Sequence, residues 1–225
     1  TSLDMAKPDP VSEAGRVDWL RILERVLPYV DIFLPSLDEI LYMVERETFD
    51  SLIDTHGETG FMDRIDTRLL DRLAARLIDM GTAVVGIKLG DQGLYLRTGT
   101  RIERLVYAAG PHTNVAAWTD RQLLAPCFRT RVVGTTGSGD CTIAGLLTGL
   151  LSGIGPVEAI TRAVGVGACS TEASDATSGV PSWQTVLDRI DAGWERLDIN
   201  FSKPNWNWDA NATLWKGPRD RSGKE

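Results

Sequence analysis

The chain is poor in the residues that build disulfide frameworks and zinc sites: three cysteines and two histidines in 225 residues. Cys127, Cys141 and Cys169 are scattered, odd in number and form no C-x-x-C pair, which excludes a stapled secreted scaffold and points to free thiols in a reduced, cytoplasmic setting. With His56 and His112 alone, a His/Cys zinc site has no basis. Positive charge is also in deficit: 24 Lys and Arg against 31 Asp and Glu leave a net charge of -7. That balance argues against a nucleic-acid or anionic-membrane partner. No apolar run approaches the ~20 residues needed to span a bilayer, and no signal-peptide pattern is visible. The sequons at Asn200 and Asn211 are therefore read as chance. Internal repeats and low-complexity blocks are absent as well.

What remains is ample apolar material. At 43% hydrophobic, the chain can bury a full core. Thr1 to Leu3 reads as part of a strand running into Asp4, so residues are expected to be missing upstream. A Pro-rich loop follows, then a helix with Val17, Leu20, Leu23, Val26 and Leu27 on one face. Val30 to Leu34 reads as a buried strand closed by Pro35. Ser36 and Glu39 form a capping-box pattern ahead of the next helix. Residues 47–62 read as a polar loop with a short helical turn, and Asp63 to Met80 as a long helix stopped by Gly81. Ala83 to Leu89 has the near-continuous apolar character of a strand buried on both faces. Strands are expected at Leu94 to Arg97, Arg101 to Tyr107 and Arg131 to Val133, with 108–129 irregular. Helices are expected over Gly139 to Leu151, Pro156 to Glu172 (proline in its first turn) and Trp183 to Arg196. The tail from Asp198, with Trp206, Trp208 and Trp215, is expected to pack on the surface, to be partly disordered or to make an oligomer contact, which leaves a homodimer open. The alternation of strand and helix predicts a doubly wound, mostly parallel α/β sheet with helices on both faces.

The most chemically pointed stretch is Val132-Val-Gly-Thr-Thr-Gly-Ser-Gly-Asp-Cys-Thr142. A Gly-Ser-Gly turn entering a helix leaves backbone N–H groups free to hold an anion. Asp140 in the same turn would repel a resting phosphate, which suggests that it takes a proton from the group that attacks that phosphate. The stretch is not a Walker A loop, because Asp140 stands where Lys is required. It lacks the third glycine of a dinucleotide fingerprint and the serine placement of a nucleophile elbow. The alternative is a plain helix entry, with Asp140 favourable to the helix dipole.

Context narrows the choice. Thr135-Thr-Gly-Ser-Gly-Asp140 followed by a small-residue helix resembles the C-terminal signature of the ribokinase / phosphofructokinase-B family of sugar and nucleoside kinases. Asp31-Ile-Phe-Leu-Pro-Ser-Leu-Asp-Glu39 is similar to the family segment ending in Asn-x-x-Glu. Lys88-Leu-Gly-Asp-Gln-Gly93 is similar to its nucleotide-contacting strand and turn, and Gly179-Val-Pro181 to the loop that closes the nucleotide site. The four segments agree in order over roughly Thr1 to Arg196. The resemblance implies a ribokinase-like fold in which residues 1–197 are the C-terminal part of the kinase domain and 198–225 a tail. The N-terminal substrate-binding and lid residues are then missing from the chain.

The resemblance also implies roles. The N–H groups of Gly137, Ser138, Gly139 and Asp140 would form the anion hole. Asp140 would be the general base for a substrate hydroxyl attacking the γ-phosphate of ATP. Glu39 would act on Mg2+ through water. Lys88, Gly90, Asp91, Gly93, Thr136 and Gly179 would line the nucleotide, and Ala163, Val164, Gly167 and Ala168 would flank its base. For Gly93 a plain hairpin turn is the alternative, and for Gly167 close helix packing. Two residues depart from the family pattern. Ser36 stands in place of Asn. Gly134 stands in place of the Asp that helps organise a monovalent-cation (K+) site, leaving Thr136 and the backbone near Gly179 for that purpose. Three readings stay open: a sugar kinase, with nucleoside or vitamin-precursor kinases next; a non-catalytic nucleotide or sugar sensor of the same fold; and an unrelated α/β binding domain.

Overall fold

In a computed structural model, the described residues are 1–101, 103–108 and 113–221. Short strands alternate with helices at the start of the chain: β1 (Ser2–Leu3), α1 (Glu13–Arg16), α2 (Trp19–Val26), β2 (Ile32–Phe33), α3 (Leu37–Val44), α4 (Arg46–Gly60), α5 (Thr67–Asp79) and β3 (Val84–Lys88). A tight turn at Gly90–Gln92 leads into β4 (Leu94–Thr98), followed by α6 (Glu103–Ala108) and β5 (Gln122–Ala125). Helices α7 (Ser138–Leu151), α8 (Pro156–Ser170) and α9 (Trp183–Asp191) come next, and the hairpin β6 (Asn207–Asp209) and β7 (Leu214–Lys216) ends the described fold.

The seven strands form one open sheet in the order β1-β2-β3-β4-β5-β7-β6. β1, β2 and β3 pair in parallel. From β4 onward each pairing is antiparallel: the tight turn at Gly90–Gln92 joins β3 to β4, and β6 and β7 form the tail hairpin. The side-chain period of two splits the core into two layers. Phe33, Val85, Ile87, Tyr95 and Leu124 face α2, α3 and α5. Ile32, Leu34, Val84, Leu94, Leu96, Leu123 and Ala125 face α7 and α8. The expected ribokinase-like architecture, with helices on both faces, is therefore present.

The structure departs from the sequence reading in five places. Arg101 to Tyr107, read as a strand, contains α6 over Glu103–Ala108. Leu105 is buried while Val106 is exposed, and Arg104 reaches back to the carbonyls of Pro28 and Gly81; Ile102 lies outside the described residues. Residues 47–62, read as a loop, hold α4, broken at Gly57 (φ 73°) and anchored by buried Phe49. Within the stretch read as irregular, β5 is fully buried; its four residues are too few to show a period. Residues 109–112, including His112, lie outside the described residues. Arg131 to Val133 is not a strand. Val132 and Val133 are exposed, and the N–H groups of Val133 and Gly134 both donate to the Thr171 carbonyl. The tail is ordered into the sheet: β7 pairs with β5, Trp206 is buried, and Trp208 is exposed. Among the described residues no helix is long and apolar enough to cross a membrane.

Two glycines on α7 set the spacing that matters for the site. A Cβ on Gly145 would lie 2.9 Å from Ala163 Cα, and one on Gly149 would lie 3.0 Å from Ala159 Cβ. This close approach runs the two helices antiparallel and brings the C-terminal part of α8, at Gly167, beside the N-terminal turn of α7.

Candidate active site

Ligands of open α/β sheets bind beyond the carboxyl ends of the parallel strands, and the charged residues of this chain meet there. β3 ends at Lys88, whose backbone N–H donates to the Pro35 carbonyl at 2.9 Å, seating it beside the start of α3. Its ammonium donates to both carboxylate oxygens of Asp4, each at 2.8 Å. Asp4 directly follows β1. Glu39, in the first turn of α3, accepts the Ser36 N–H at 2.6 Å and closes the expected capping box. Burial pushes the Glu39 carboxyl above its ordinary value; the Asp4 carboxylate adds to this, while the Ser36 donors and Lys88 oppose it. The Ser36 hydroxyl is committed to Asp38 at 2.6 Å.

The glycine turn lies opposite. Gly137 is left-handed, with φ 76°, and a Cβ there would lie 2.9 Å from Ala176 Cα. A Cβ on Gly134 would lie 2.9 Å from the Ala173 carbonyl oxygen, so both glycines press the turn onto the loop after α8. The Ser138 N–H, expected among the anion donors, donates instead to the Thr135 carbonyl at 3.2 Å, because the turn closes on itself before the helix begins. The N–H groups of Gly139 and Asp140 have no acceptor among the described residues. They sit at the positive end of α7. The Asp140 side chain is exposed, and among the described residues its carboxylate makes no hydrogen bond or ion pair. Gly139 connects the two sides: a Cβ there would lie 3.5 Å from both Cδ and Nζ of Lys88.

A cavity of about 300 Å³ opens between these groups. Lys88, Gly90, Asp91 and Gly93 form one wall, Ser138, Gly139 and Thr142 a second, and Val164, Gly167 and Ala168 of α8 a third. Its remaining surface is largely apolar, with Phe128, Val132 and Leu197. Gly93 is required as glycine: its φ is 98°, and a Cβ would collide with the Ala125 carbonyl. Gly167 likewise has no room, since a Cβ would collide with the Thr142 hydroxyl. Gly167 thus packs closely on α7 and also lines the cavity. Burial raises the Cys127 thiol beside it, leaving the thiol protonated and unreactive. A second cavity, of about 320 Å³, adjoins the first and shares Lys88, Gly90 and Asp91 with it.

Other predicted residues lie outside the cavity wall. Ala163 is fully buried against Gly145 and serves helix packing. A Cβ on Gly179 would lie 2.8 Å from the Cys169 carbonyl oxygen, so this residue is shaped by the end of α8. Thr136 is exposed on the turn. Sequence reasoning passed over Asp4, Phe128, Thr142 and Leu197. Asp4 carried a legible signal, a carboxylate immediately after the first strand and so level with Lys88. Phe128 and Leu197 carried none, since they approach only through an isolated bridge between Phe128 and Arg196.

A depression of about 680 Å³ lies at the opposite end of the parallel strands, around Pro28, Gly81 and Arg104. Of its two basic residues, Arg101 and Arg104, Arg104 is spent on Asp31 at 2.7 Å. None of the predicted residues lines it.

Comparison with known proteins agrees with the fold. Over 120 residues the chain is 28% identical to the 2-dehydro-3-deoxygluconokinase of Bacillus subtilis, a match covering 53% of the chain and 31% of that protein. Aminoimidazole riboside kinase from Salmonella enterica, solved with aminoimidazole riboside and an ATP analog, superposes with a TM-score of 0.55 at 21% identity, over 83% of this chain and 50% of that one. An Escherichia coli structure described as a ribokinase II, in complex with ATP and Mg2+, superposes with a TM-score of 0.53 at 19% identity, over 77% of this chain and 45% of that one. The chain thus spans about half the length of these solved structures and about a third of the curated relative. The family model described as pfkB family carbohydrate kinase matches residues 9–183; it takes in the Glu39 cap, the Lys88 strand and the Asp140 turn alike, and the chain belongs to that family.

Proposed function

We propose that this chain carries the nucleotide site and the catalytic base of an ATP-dependent phosphotransferase acting on a hydroxyl of a sugar or similar small molecule. The observation that carries the reading is that Lys88 and the Gly139 helix start, with its unpaired N–H groups, meet at one largely apolar cavity, with the raised carboxyl of Glu39 in electrostatic reach of Lys88.

The cavity suits a nucleotide, with small and apolar residues of α8 for the base and the glycine turn for the phosphates. The Gly139 and Asp140 N–H groups and the Lys88 ammonium stabilise the charge of the transferring phosphoryl group, the main source of rate in such reactions. Asp140, free of partners, takes the proton of the attacking hydroxyl. A carboxylate, though a weak base, serves because the proton leaves late in a loose transition state.

Among the described residues no cluster of three or more His, Cys, Asp or Glu could hold a metal. Mg2+ keeps several waters and binds through one or two carboxylates and the nucleotide phosphates. Glu39 is the group suited to orient such a water. Bound there, the cation neutralises charge on the β- and γ-phosphates. Any side chain at Gly134 would strike the loop at Ala173, so the potassium site implied by the family would have to form without a side chain from that position.

The test is an ATP-consumption assay on the full gene product with a panel including 2-dehydro-3-deoxygluconate, ribose and aminoimidazole riboside. Asp140→Asn is expected to cost about 10²–10⁴-fold in turnover, while ATP affinity stays within about twofold. Retained turnover in this variant would remove Asp140 from the mechanism. ATP binding without turnover in the wild type on every acceptor would favour the sensor reading.

A further inference from the structure

The cavity beside the glycine turn gathers hydrogen-bond donors where α7 begins: the Lys88 ammonium and the Gly139 and Asp140 N–H groups. The hydroxyls along its wall, by contrast, have already given up their protons. Ser138 donates to the Thr135 carbonyl at 2.9 Å, and Thr142 to the Ser138 carbonyl at 2.8 Å. Thr171, at the end of α8, donates to the Ala168 carbonyl at 2.7 Å. The Thr130 and Thr171 hydroxyls meet at 3.0 Å. A carbonyl only accepts, so the single proton of Thr171 is fixed on Ala168, and the bond between the threonines runs from Thr130 to Thr171. Thr130 Oγ1 makes no other hydrogen bond among the described residues, so it keeps lone pairs, and no proton, for the cavity that both threonines line. Phe128, the aromatic residue of the wall, is taken up within the protein: it stacks on Trp194 at 4.4 Å and holds the Arg196 guanidinium 3.8 Å from its ring centroid. Polar discrimination at this wall therefore falls to oxygens that accept.

We propose that Thr130 is a specificity residue that accepts a hydrogen bond from the nucleoside part of the nucleotide, held in the accepting state by its relay through Thr171 to the Ala168 carbonyl. The inference rests on the nucleotide-site reading above. A nucleoside offers donors of two kinds, the amino group of adenine and the ribose hydroxyls, and either satisfies the Thr130 oxygen. A base with a carbonyl in place of that amino group sets acceptor against acceptor, and a deoxyribose leaves the oxygen unpaired. For Thr130 to donate to a ligand instead, it would have to abandon Thr171, whose half-buried oxygen would lose its donor. Thr171 is a positioning residue in this scheme: it sets the polarity of Thr130 from behind.

Calorimetric titration of the full chain, in the presence of Mg2+, with ATP, inosine triphosphate, 2′-deoxy-ATP and 3′-deoxy-ATP identifies the donor without relying on turnover. One analogue is expected to bind about tenfold weaker than ATP: inosine triphosphate where the amino group is read, a deoxy analogue where a ribose hydroxyl is read. In Thr130→Val, ATP should weaken about three- to tenfold, and its advantage over that analogue should fall to about twofold or less, with the other ratios unchanged. Thr130→Ser should keep the wild-type ratios, and Thr130→Ala carries the test should Thr130→Val fold poorly. Thr171→Val frees the Thr130 proton. Where the amino group is read, the advantage over inosine triphosphate should then shrink to about threefold or less; where a ribose hydroxyl is read, that hydroxyl answers either polarity and the ratios should hold. Wild-type affinities within about twofold for all four nucleotides, or an unchanged ratio in Thr130→Val, would overturn the proposal. Failure of ATP and all three analogues to bind would instead overturn the nucleotide-site reading beneath it, and the proposal with it.

Discussion

Lys88 and Arg121 each sit at the end of a strand and each face one carboxylate, but they are treated differently. Lys88 closes β3 at the parallel side of the sheet and pairs with Asp4, at 13% and 29% exposure. Arg121 precedes β5 on the antiparallel side and pairs with Asp220, at 6% and 2%. Each guanidinium nitrogen has a partner: Nε and one terminal nitrogen bond Asp220, and the other bonds the Ala117 carbonyl at 3.0 Å. Asp220 also accepts the Gln122 N–H at 2.9 Å. A planar fork is suited to such a closed arrangement, whereas an ammonium on a flexible stem can change partners. Arg121 is a buried charge closed on its counter-ion; the cleft keeps a charge that can be redirected.

The strongest way to break this contrast is to open the closed pair. Asp220→Ala leaves a buried guanidinium without its anion and is expected to lower stability by about 3–5 kcal/mol, read by thermal or urea melting. The nucleotide affinity of the remaining folded protein should not move. Lys88→Met should cost less than about 1 kcal/mol, because water reaches Asp4. Equal losses of stability in the two variants would erase the distinction between a structural and an exchangeable pair.

Two nearby glycines on α8 sharpen the contrast within the cleft. A Cβ on Gly165 would lie 3.1 Å from Val186 and 3.2 Å from Ile190, on the side facing α9. A Cβ on Gly167 would enter the space of Thr142 and the Ser138 carbonyl, on the side facing the cavity. Gly167→Ala is expected to weaken ATP about tenfold or more, measured by calorimetry. Gly165→Ala should cost about 1–3 kcal/mol of stability through overpacking and leave ATP affinity near wild type. An equal effect of both on ATP would mean that α8 responds as a rigid unit rather than through the wall it presents.

The same contrast explains what could be read from the sequence. The turn around Asp140, the cap at Glu39 and the end of β3 at Lys88 were legible because local chemistry specifies them: glycines that must be glycine, a carboxylate three residues after a serine, and a lysine closing an apolar run. The long helix α5 was legible from its periodicity, α7 from the glycine turn that opens it and α8 from the proline in its first turn. The far edge was not. β5 is four residues long, β6 and β7 are three each, and their pairing depends on contacts between residues far apart in the chain, such as Gln122 with Asp220. The α6 segment misled because Ile, Leu, Val and Tyr favour strands, while of Leu105 and Val106 the first is buried in the core and the second exposed. Ala163 and Gly179 were placed on the nucleotide by resemblance, but the approach of α7 to α8 and of the 179 loop to the end of α8 takes up their space.

A third ion pair lies between the two extremes and should show the smallest effect. Glu172 and Arg189 join α8 to α9 through two hydrogen bonds of 2.7 Å, with about a third of each side chain exposed. Arg189 lies 3.6 Å from the Trp194 ring centroid, and Trp194 stacks on Phe128 at 4.4 Å, so the pair braces the apolar wall of the cavity. Hydrogen bonding to Arg189 holds the Glu172 carboxyl below its ordinary value of 4.5, against the opposing effect of burial. A carboxyl depressed in the folded state adds stability above its unfolded pKa and loses it as pH falls through the folded pKa. Solvent screening keeps the contribution within about 0–1 kcal/mol. Glu172→Gln should therefore melt slightly below wild type at about pH 7, and the two curves should converge once the pH drops below the carboxylate range near 4. A gap that persists in acid would show that Glu172 acts by packing under Trp194 rather than by charge, placing this contact with the closed pair at Arg121 and not with the cleft.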